Sequence, residues 1–399
     1  MRRGRVSFAL TKEYHHDRHY TDSNRSSSES PSHVRSRASL DLSRQPAAAP
    51  LRHASASVQV AVSQLIAGVP IAEWPVWLRA FAAGWLFVLG SCFGSFLNVV
   101  AYRWPRRMSL SKPGSHCPHC SRPIAPRDNV PIMAWLWLRG RCRQCGGAIA
   151  ARYPLVELLA GMAFLLVGWG ELLTSRGGWL LAATHAHEGR ATLALAGHLT
   201  LVTTLLAATL LVLDRAPWRG ALYWPAAMVA GALVAARLPV APILAAPANT
   251  LDRPPGMALT AAALGLAIGI ALAAIWRITQ RNAAAGVARY TVGCWLLVGV
   301  YLGPIATAGI AVIASLGELA TAAAQRVGLS IDRLSTSGWL LAAVVVVLTG
   351  WTFLMDSPGL GAAQSIAAGR PTIWIVGSVA AAGAAMVITR LLARDRPVR

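Results

Sequence analysis

Apolar stretches of about 20 residues recur along the chain between short polar segments, a length that matches a hydrocarbon core of roughly 30 Å. Eight stand out: Ala80–Val100, Leu155–Gly170, Ala191–Leu213, Ala221–Ala236, Met257–Trp276, Val292–Ala314, Trp339–Leu354 and Ile373–Leu392. The second, fourth and seventh are short or interrupted, so seven to nine brackets the count. None alternates apolar and polar positions as a barrel strand does, and lipid leaves no backbone group unpaired. The pattern predicts an all-α, polytopic helical membrane protein of about eight transmembrane helices. Its long polar interruption lies between the first two.

Composition agrees: of 399 residues, 55% are hydrophobic and only 13% charged. The formal charge of +21 matters mainly through its placement. Between Arg103 and Arg152 stand ten Lys/Arg against one acid, Asp128. A short loop that basic is expected on the cytoplasmic side. Counting spans onward puts Asp214–Gly220, Arg277–Thr291 and Asp356–Arg370 on that side too. No aromatics interleave with the charges as in a nucleic-acid groove, so membrane lipid is the expected contact and nucleic acid is not. Residues 1–57 are polar and Ser-rich without apolar periodicity, and read as a disordered basic tail. The tail has no apolar core before residue 58 and so no secretory signal; its His15, His16 and His19 read as solvated.

Within the basic loop, Cys117-Pro-His-Cys120 and Cys142-Arg-Gln-Cys145 form two C-x-x-C pairs separated by 21 residues. That spacing suits tetrahedral thiolate ligation of one Zn2+, each pair supplying two corners. A pair of disulfides is the competing reading, which a reducing cytoplasm disfavours. A loop of about 50 residues with little apolar content cannot build its own core, so a structural metal supplies the missing folding energy. Val130–Leu138 is too short to cross a membrane and is expected to pack on the knuckle or lie at the interface. Cys92 and Cys294 fall within spans and read as small buried hydrophobes. Gly90 and Gly94, one helical turn apart, lie on one face of the first span with Asn98, a face suited to close helix approach. Glu157 is costly so near the membrane and needs a partner such as Arg152.

The segments "GSCFGSFLNVVAYRWPRRMSLSKPGSHCPHC" and "DNVPIMAWLWLRGRCRQCGGAIAARYPLVELLAG" closely resemble the N-terminal domain of bacterial prepilin peptidases, the membrane enzymes that trim and N-methylate type IV prepilins and type II secretion pseudopilins. The resemblance runs from about Gly90 to Gly161. It implies eight spans in the bacterial inner membrane, a cytoplasmic cysteine loop, prepilin or pseudopilin partners, and S-adenosylmethionine as methyl donor. The implied division is a tail over 1–57, an N-terminal domain over 78–161 and a peptidase-like transmembrane domain over 191–393.

The resemblance also implies aspartic chemistry: two carboxylates at the cytoplasmic ends of two spans activate a water, one as base and the other protonated. Asp214 stands where the first acid pair of the family would lie, and which of the pair it matches depends on a two-residue gap. The G-x-G-D acid of the second position is missing, and the nearest alignment puts Thr291 there. No Asp or Glu occurs between Asp252 and Glu318. Asp356, expected at the cytoplasmic end of the seventh span, could form a substitute dyad with Asp214; a helix-end aspartate is the plainer reading. Three functions follow: a prepilin peptidase with an incomplete dyad, an inactive relative that binds or organises pilins, or a small-solute transporter. The last lacks paired inverted segments and convincing intramembrane charges.

Overall fold

The structure is a computed structural model, and it describes residues 74–173, 188–236, 256–327, 336–356 and 371–394. The basic tail over 1–57 lies outside the described residues. The described elements are helical: α1 (Val76–Arg103), α2 (Met133–Trp137), α3 (Arg152–Gly168, continued by a π-turn over Trp169–Leu173), α4 (Glu188–Leu213), α5 (Trp224–Ala235), α6 (Gly256–Thr279), α7 (Ala285–Arg326), α8 (Thr336–Asp356) and α9 (Pro371–Arg394). Among the described residues, five helices are long and apolar enough to cross a membrane: Val76–Arg103, Arg152–Leu173, Ala191–Leu213, Leu259–Thr279 and Ala285–Arg326. The apolar pieces of α5, α8 and α9 are shorter.

Small residues decide the first contact. A Cβ at Gly90 would lie 2.6 Å from Ala160 O, and one at Gly94 would lie 2.7 Å from Glu157 Cα. The two missing side chains let α1 and α3 pack backbone to backbone, as the small-residue face of the sequence predicts. α1 stops before Pro105, which has no N–H to donate and disfavours helix in the residue ahead of it. Pro154 falls in the first turn of α3, where its missing N–H costs nothing.

Contacts along the helices fix their directions. α1 and α3 are antiparallel, with Gly168 against Leu86 at one end and Asn98 against Tyr153 at the other. The second of these is the knuckle end of the bundle. α4 finishes there at Asp214, and α7 starts there, since Gly286 approaches Ala216 O.

α7 is the departure from the expected topology. Straight, its 42 residues would reach about 63 Å. Instead Gly303 adopts φ 67 and ψ −177, and Pro304 follows. The proline has no N–H for the helix ladder, and Thr307 Oγ1 caps the break by donating to Gly303 O at 2.6 Å. The second limb folds back: Gly317 faces the Trp339 ring near the start of α8, whose Thr336 Oγ1 accepts from Trp276 Nε1 near the end of α6. Arg326 Nη2 donates to Leu391 O, and neighbouring Arg390 donates to Ile278 O at 2.7 Å. Both ends of α7 therefore lie at the knuckle end, and the apolar stretch Val292–Ala314, expected as one span, is the bend of a helical hairpin. Hydropathy reads through the reversal because both limbs are apolar.

The reversal moves Asp356. α8 starts at the knuckle end, Leu341 packs on the cluster containing Leu206 and Leu210, and Thr349 meets Gly170 near the far end of α3. Asp356 terminates α8 beyond that point, so it sits at the far end rather than on the knuckle side.

Candidate functional site at the knuckle end

The polar loop after α1 is built from the same turn used twice. In the first copy Cys117 N donates to Arg122 O, Ser121 N to Cys117 O and Ile124 N to Ser115 O. In the second, 25 residues on, Cys142 N donates to Gly147 O, Gly146 N to Cys142 O and Ile149 N to Gly140 O. Each turn carries one residue at positive φ in the same place, Ser121 at 56° and Gly146 at 70°. A bridge closes each copy, His116 to Pro123 and Arg141 to Ala148. The signal in the sequence is the repeat C-x-x-C-x-x-x-I-A, which the C-x-x-C reading alone does not register.

The two turns bring Cys117, Cys120, Cys142 and Cys145 together, with all four Sγ atoms within 4.8 Å of one another. Cys117 and Cys145 Sγ stand 3.9 Å apart. A tetrahedral ion with metal–sulfur bonds of about 2.3 Å needs sulfurs about 3.8 Å apart, so the four residues fit one thiolate-bound ion. The thiols are free rather than paired as disulfides. Backbone N–H groups of Cys120 and His119 lower the Cys117 thiol to about 7, the electrostatics a thiolate ligand needs. At the rim, Arg143 binds Asp128 through both oxygens, at 2.7 to 3.1 Å, and holds that carboxyl below the ordinary carboxylate range.

The knuckle docks onto the helix ends through specific bonds. Trp135 Nε1 donates to Ile149 O at 3.0 Å, fastening α2 to the second turn. Buried Arg103 closes the loop exit by donating to Ser109 O and Gly114 O. Glu157 does not pair with Arg152, as the sequence suggested. Its Oε2 accepts from Ile132 N at 2.6 Å, holding the entry to α2, where Ile132 has φ 63. Between the knuckle and the ends of α1 and α3 lies a cavity of about 520 Å³, with Ser95, Asn98 and Glu157 on its membrane side and Arg127 and Tyr102 among its other lining residues. That is within the range of small-molecule pockets.

Arg152 is engaged elsewhere. Its Nη1 and Nη2 donate to Asp214 Oδ1 and Oδ2 at 2.5 and 2.7 Å, with the two side chains 44% and 30% exposed. Beside Asp214, the segment after α4 and the start of α7 do come together, but around apolar and aromatic groups. Leu211, Val212, Ala216 and Tyr290 form one buried cluster. Tyr290 donates to Pro217 O, Tyr223 donates to Tyr290 O, and the Trp218 ring meets Tyr290 edge-on at 4.9 Å. Thr291 is buried and its hydroxyl is spent on Val287 O. Asp356 is not brought to Asp214. It lies fifteen residues along α8 from Leu341, about 22 Å of helix, toward the opposite end.

One polar pair was not foreseen. His198 Nδ1 and Glu171 Oε1 stand 2.8 Å apart, both side chains fully buried, where the π-turn after α3 meets α4. A single Glu and a single His in separate apolar runs carry no spacing that would mark them.

Comparison with known proteins follows the same boundary between the knuckle and the rest. Residues 88–170 match the model of the bacterial peptidase A24 N-terminal domain. Similar curated proteins include a "Type 4 prepilin-like proteins leader peptide-processing enzyme" of Escherichia coli O78:H11, 42% identical over 24% of this chain and 45% of the relative. The prepilin leader peptidase/N-methyltransferase of Dickeya chrysanthemi is 44% identical over 23% of this chain and 39% of the relative. That of Myxococcus xanthus is 51% identical over 23% and 27%. The chain thus spans less than half the length of these relatives. No solved structure matches.

Proposed function

We propose that this protein binds prepilin-like or pseudopilin-like segments at the membrane boundary, keeping the knuckle half of a prepilin peptidase without its aspartyl dyad. One observation carries this reading. Where α4 and α7 meet, a dyad needs two facing carboxylates; among the described residues the junction has one, Asp214, held by Arg152, while the start of α7 presents Tyr290, packed on Leu211, Val212 and Ala216. With both carboxylate oxygens bonded to Arg152, Asp214 is turned to a cation rather than to a second acid, which paired-acid chemistry requires.

In this reading the knuckle holds a structural Zn2+ through Cys117, Cys120, Cys142 and Cys145, and lies on the cytoplasmic side of the bacterial inner membrane, where its excess of Lys/Arg belongs. When bound, the ion supplies folding energy rather than chemistry. The names of the relatives favour a second reading, leader cleavage with N-methylation from S-adenosylmethionine.

Membranes containing this protein, mixed with a prepilin, separate the two. The binder reading expects prepilin to cross-link to the knuckle half and to remain uncut. Cleavage by the wild type that disappears in Asp214→Asn establishes the peptidase instead.

A further inference from the structure

The short helix α2 is tied at both ends to the chain that enters α3. Glu157 fixes its start by accepting from Ile132 N, and Gly140 fixes its exit, its carbonyl accepting from Ile149 N at 2.7 Å. The span Arg152–Leu173 has 22 residues, about 33 Å of helix, little more than a hydrocarbon core of roughly 30 Å. Glu157 stands in its second turn, about 7.5 Å of rise inward from Arg152. α2 is therefore held at the level where α3 crosses the boundary of that core.

α2 also has two unlike faces. Ala134 is buried and lines the cavity with Trp135 and Leu138. Met133, Leu136 and Trp137 share the other face at helical spacing, with Leu136 52% and Trp137 63% exposed. The first turns of α3 expose Tyr153, Leu155 and Leu159, so helix and span both present apolar side chains at this level. Arg139 and Arg141 follow α2 at once, both exposed, and no acid pairs with either among the described residues. The one acid of the loop, Asp128, is taken by Arg143.

We propose that Met133, Leu136 and Trp137 insert into the headgroup boundary of the membrane beside α3, with Arg139 and Arg141 set against anionic phospholipid. Aromatic rings favour that layer, and anionic headgroups attract arginine there. A second copy of the chain would cover the same apolar groups, but its formal charge of +21 repels the arginines. The inward face of α2 thus packs on the knuckle while the outward face holds the knuckle down on the lipid surface. This goes beyond prepilin binding and does not depend on it.

The experiment is photo-cross-linking of the full-length, metal-loaded protein, one copy per nanodisc. The discs contain equal amounts of phosphatidylglycerol and phosphatidylcholine, each carrying a diazirine close to the headgroup in a separate preparation. Mass spectrometry should find lipid adducts on Met133, Leu136 or Trp137, as on Phe96, which is exposed on α1 and reports that the probe reaches this part of the bundle. Phosphatidylglycerol should label α2 about fivefold or more above phosphatidylcholine, the effect of one basic side chain at an anionic surface. The double variant Arg139→Gln, Arg141→Gln should reduce that preference at least about twofold with metal content unchanged. Adducts on Phe96 with none on α2 overturn the proposal and leave a protein as the occupant of the face. Equal labelling by the two lipids overturns it as well, as does an undiminished preference in the double variant. The lipid comparison is made on the wild type, so it decides the matter even where the variant fails to fold.

Discussion

Arg152 and Asp214 are 62 residues apart in sequence and meet through two parallel N–H···O bonds, at 2.5 and 2.7 Å. The pair ties the first turn of α3 to the end of α4. Both side chains are partly exposed, so water screens them, and the coupling should be worth about 1 kcal/mol or less. A double-mutant cycle with Arg152→Ala and Asp214→Asn, read by thermal unfolding in detergent, measures it. A coupling of several kcal/mol would mean that the pair is far less solvated than its exposure shows.

The metal site gives a sharper expectation. Cys142→Ser should eliminate stoichiometric zinc and open the loop between Arg103 and Arg152 to protease, because the repeated turns have no apolar core of their own. The spans should keep their helical circular dichroism, since their backbone bonds are internal. Chelation of the wild type should reproduce both results. Retention of one equivalent of zinc in Cys142→Ser would exclude four-thiolate ligation.

Close approach of α1 and α3 depends on the absence of a single methyl group. In Gly90→Ala the new carbon would sit 2.6 Å from Ala160 O and 2.8 Å from Phe164 Cβ, and a backbone carbonyl cannot rotate aside. The cost should be about 1–3 kcal/mol by the usual scale of overpacking. Gly84→Ala, which meets nothing within 4 Å, is the control and should be nearly silent. Both are read as shifts in melting temperature.

The hairpin in α7 makes a topological prediction. Cysteines introduced at Val327 and Asp356 should react with a membrane-impermeant maleimide from opposite faces of the membrane, with Val327 on the face of the knuckle. Labelling of Val327 from the face opposite the knuckle, with Asp356 on the knuckle face, would refute the reversal at Gly303.

The sequence reveals the parts of this protein that depend on local pattern. The apolar runs place the helices, the two C-x-x-C pairs place the four clustered thiols, and Gly90, Gly94 and Asn98 mark the packed face of α1, because each signal lies within one element. What depends on direction or rotation is hidden. Hydropathy does not record which way a helix runs, so Val292–Ala314 reads as one span though Gly303 divides it, and Asp356 is assigned to the wrong end as a consequence. Nor does it record which face turns where: Arg152 is the nearest cation to Glu157 in sequence, yet it reaches across to Asp214. The aspartyl resemblance around Asp214 suffers in the same way, since the segments it aligns do meet, but through Tyr290 and Val212 rather than through acids.

The contact between His198 and Glu171 has a consequence for how the bundle responds to its surroundings. With the two groups 2.8 Å apart, a single proton on the imidazole would leave a cation beside an anion, and the same proton on the carboxyl would leave two neutral groups. The sum is zero either way. Transfer within the pair therefore displaces a dipole by a fraction of the membrane thickness rather than moving a whole charge across it, and a transmembrane voltage, worth about 2.3 kcal/mol per full charge at 100 mV, has little hold on it.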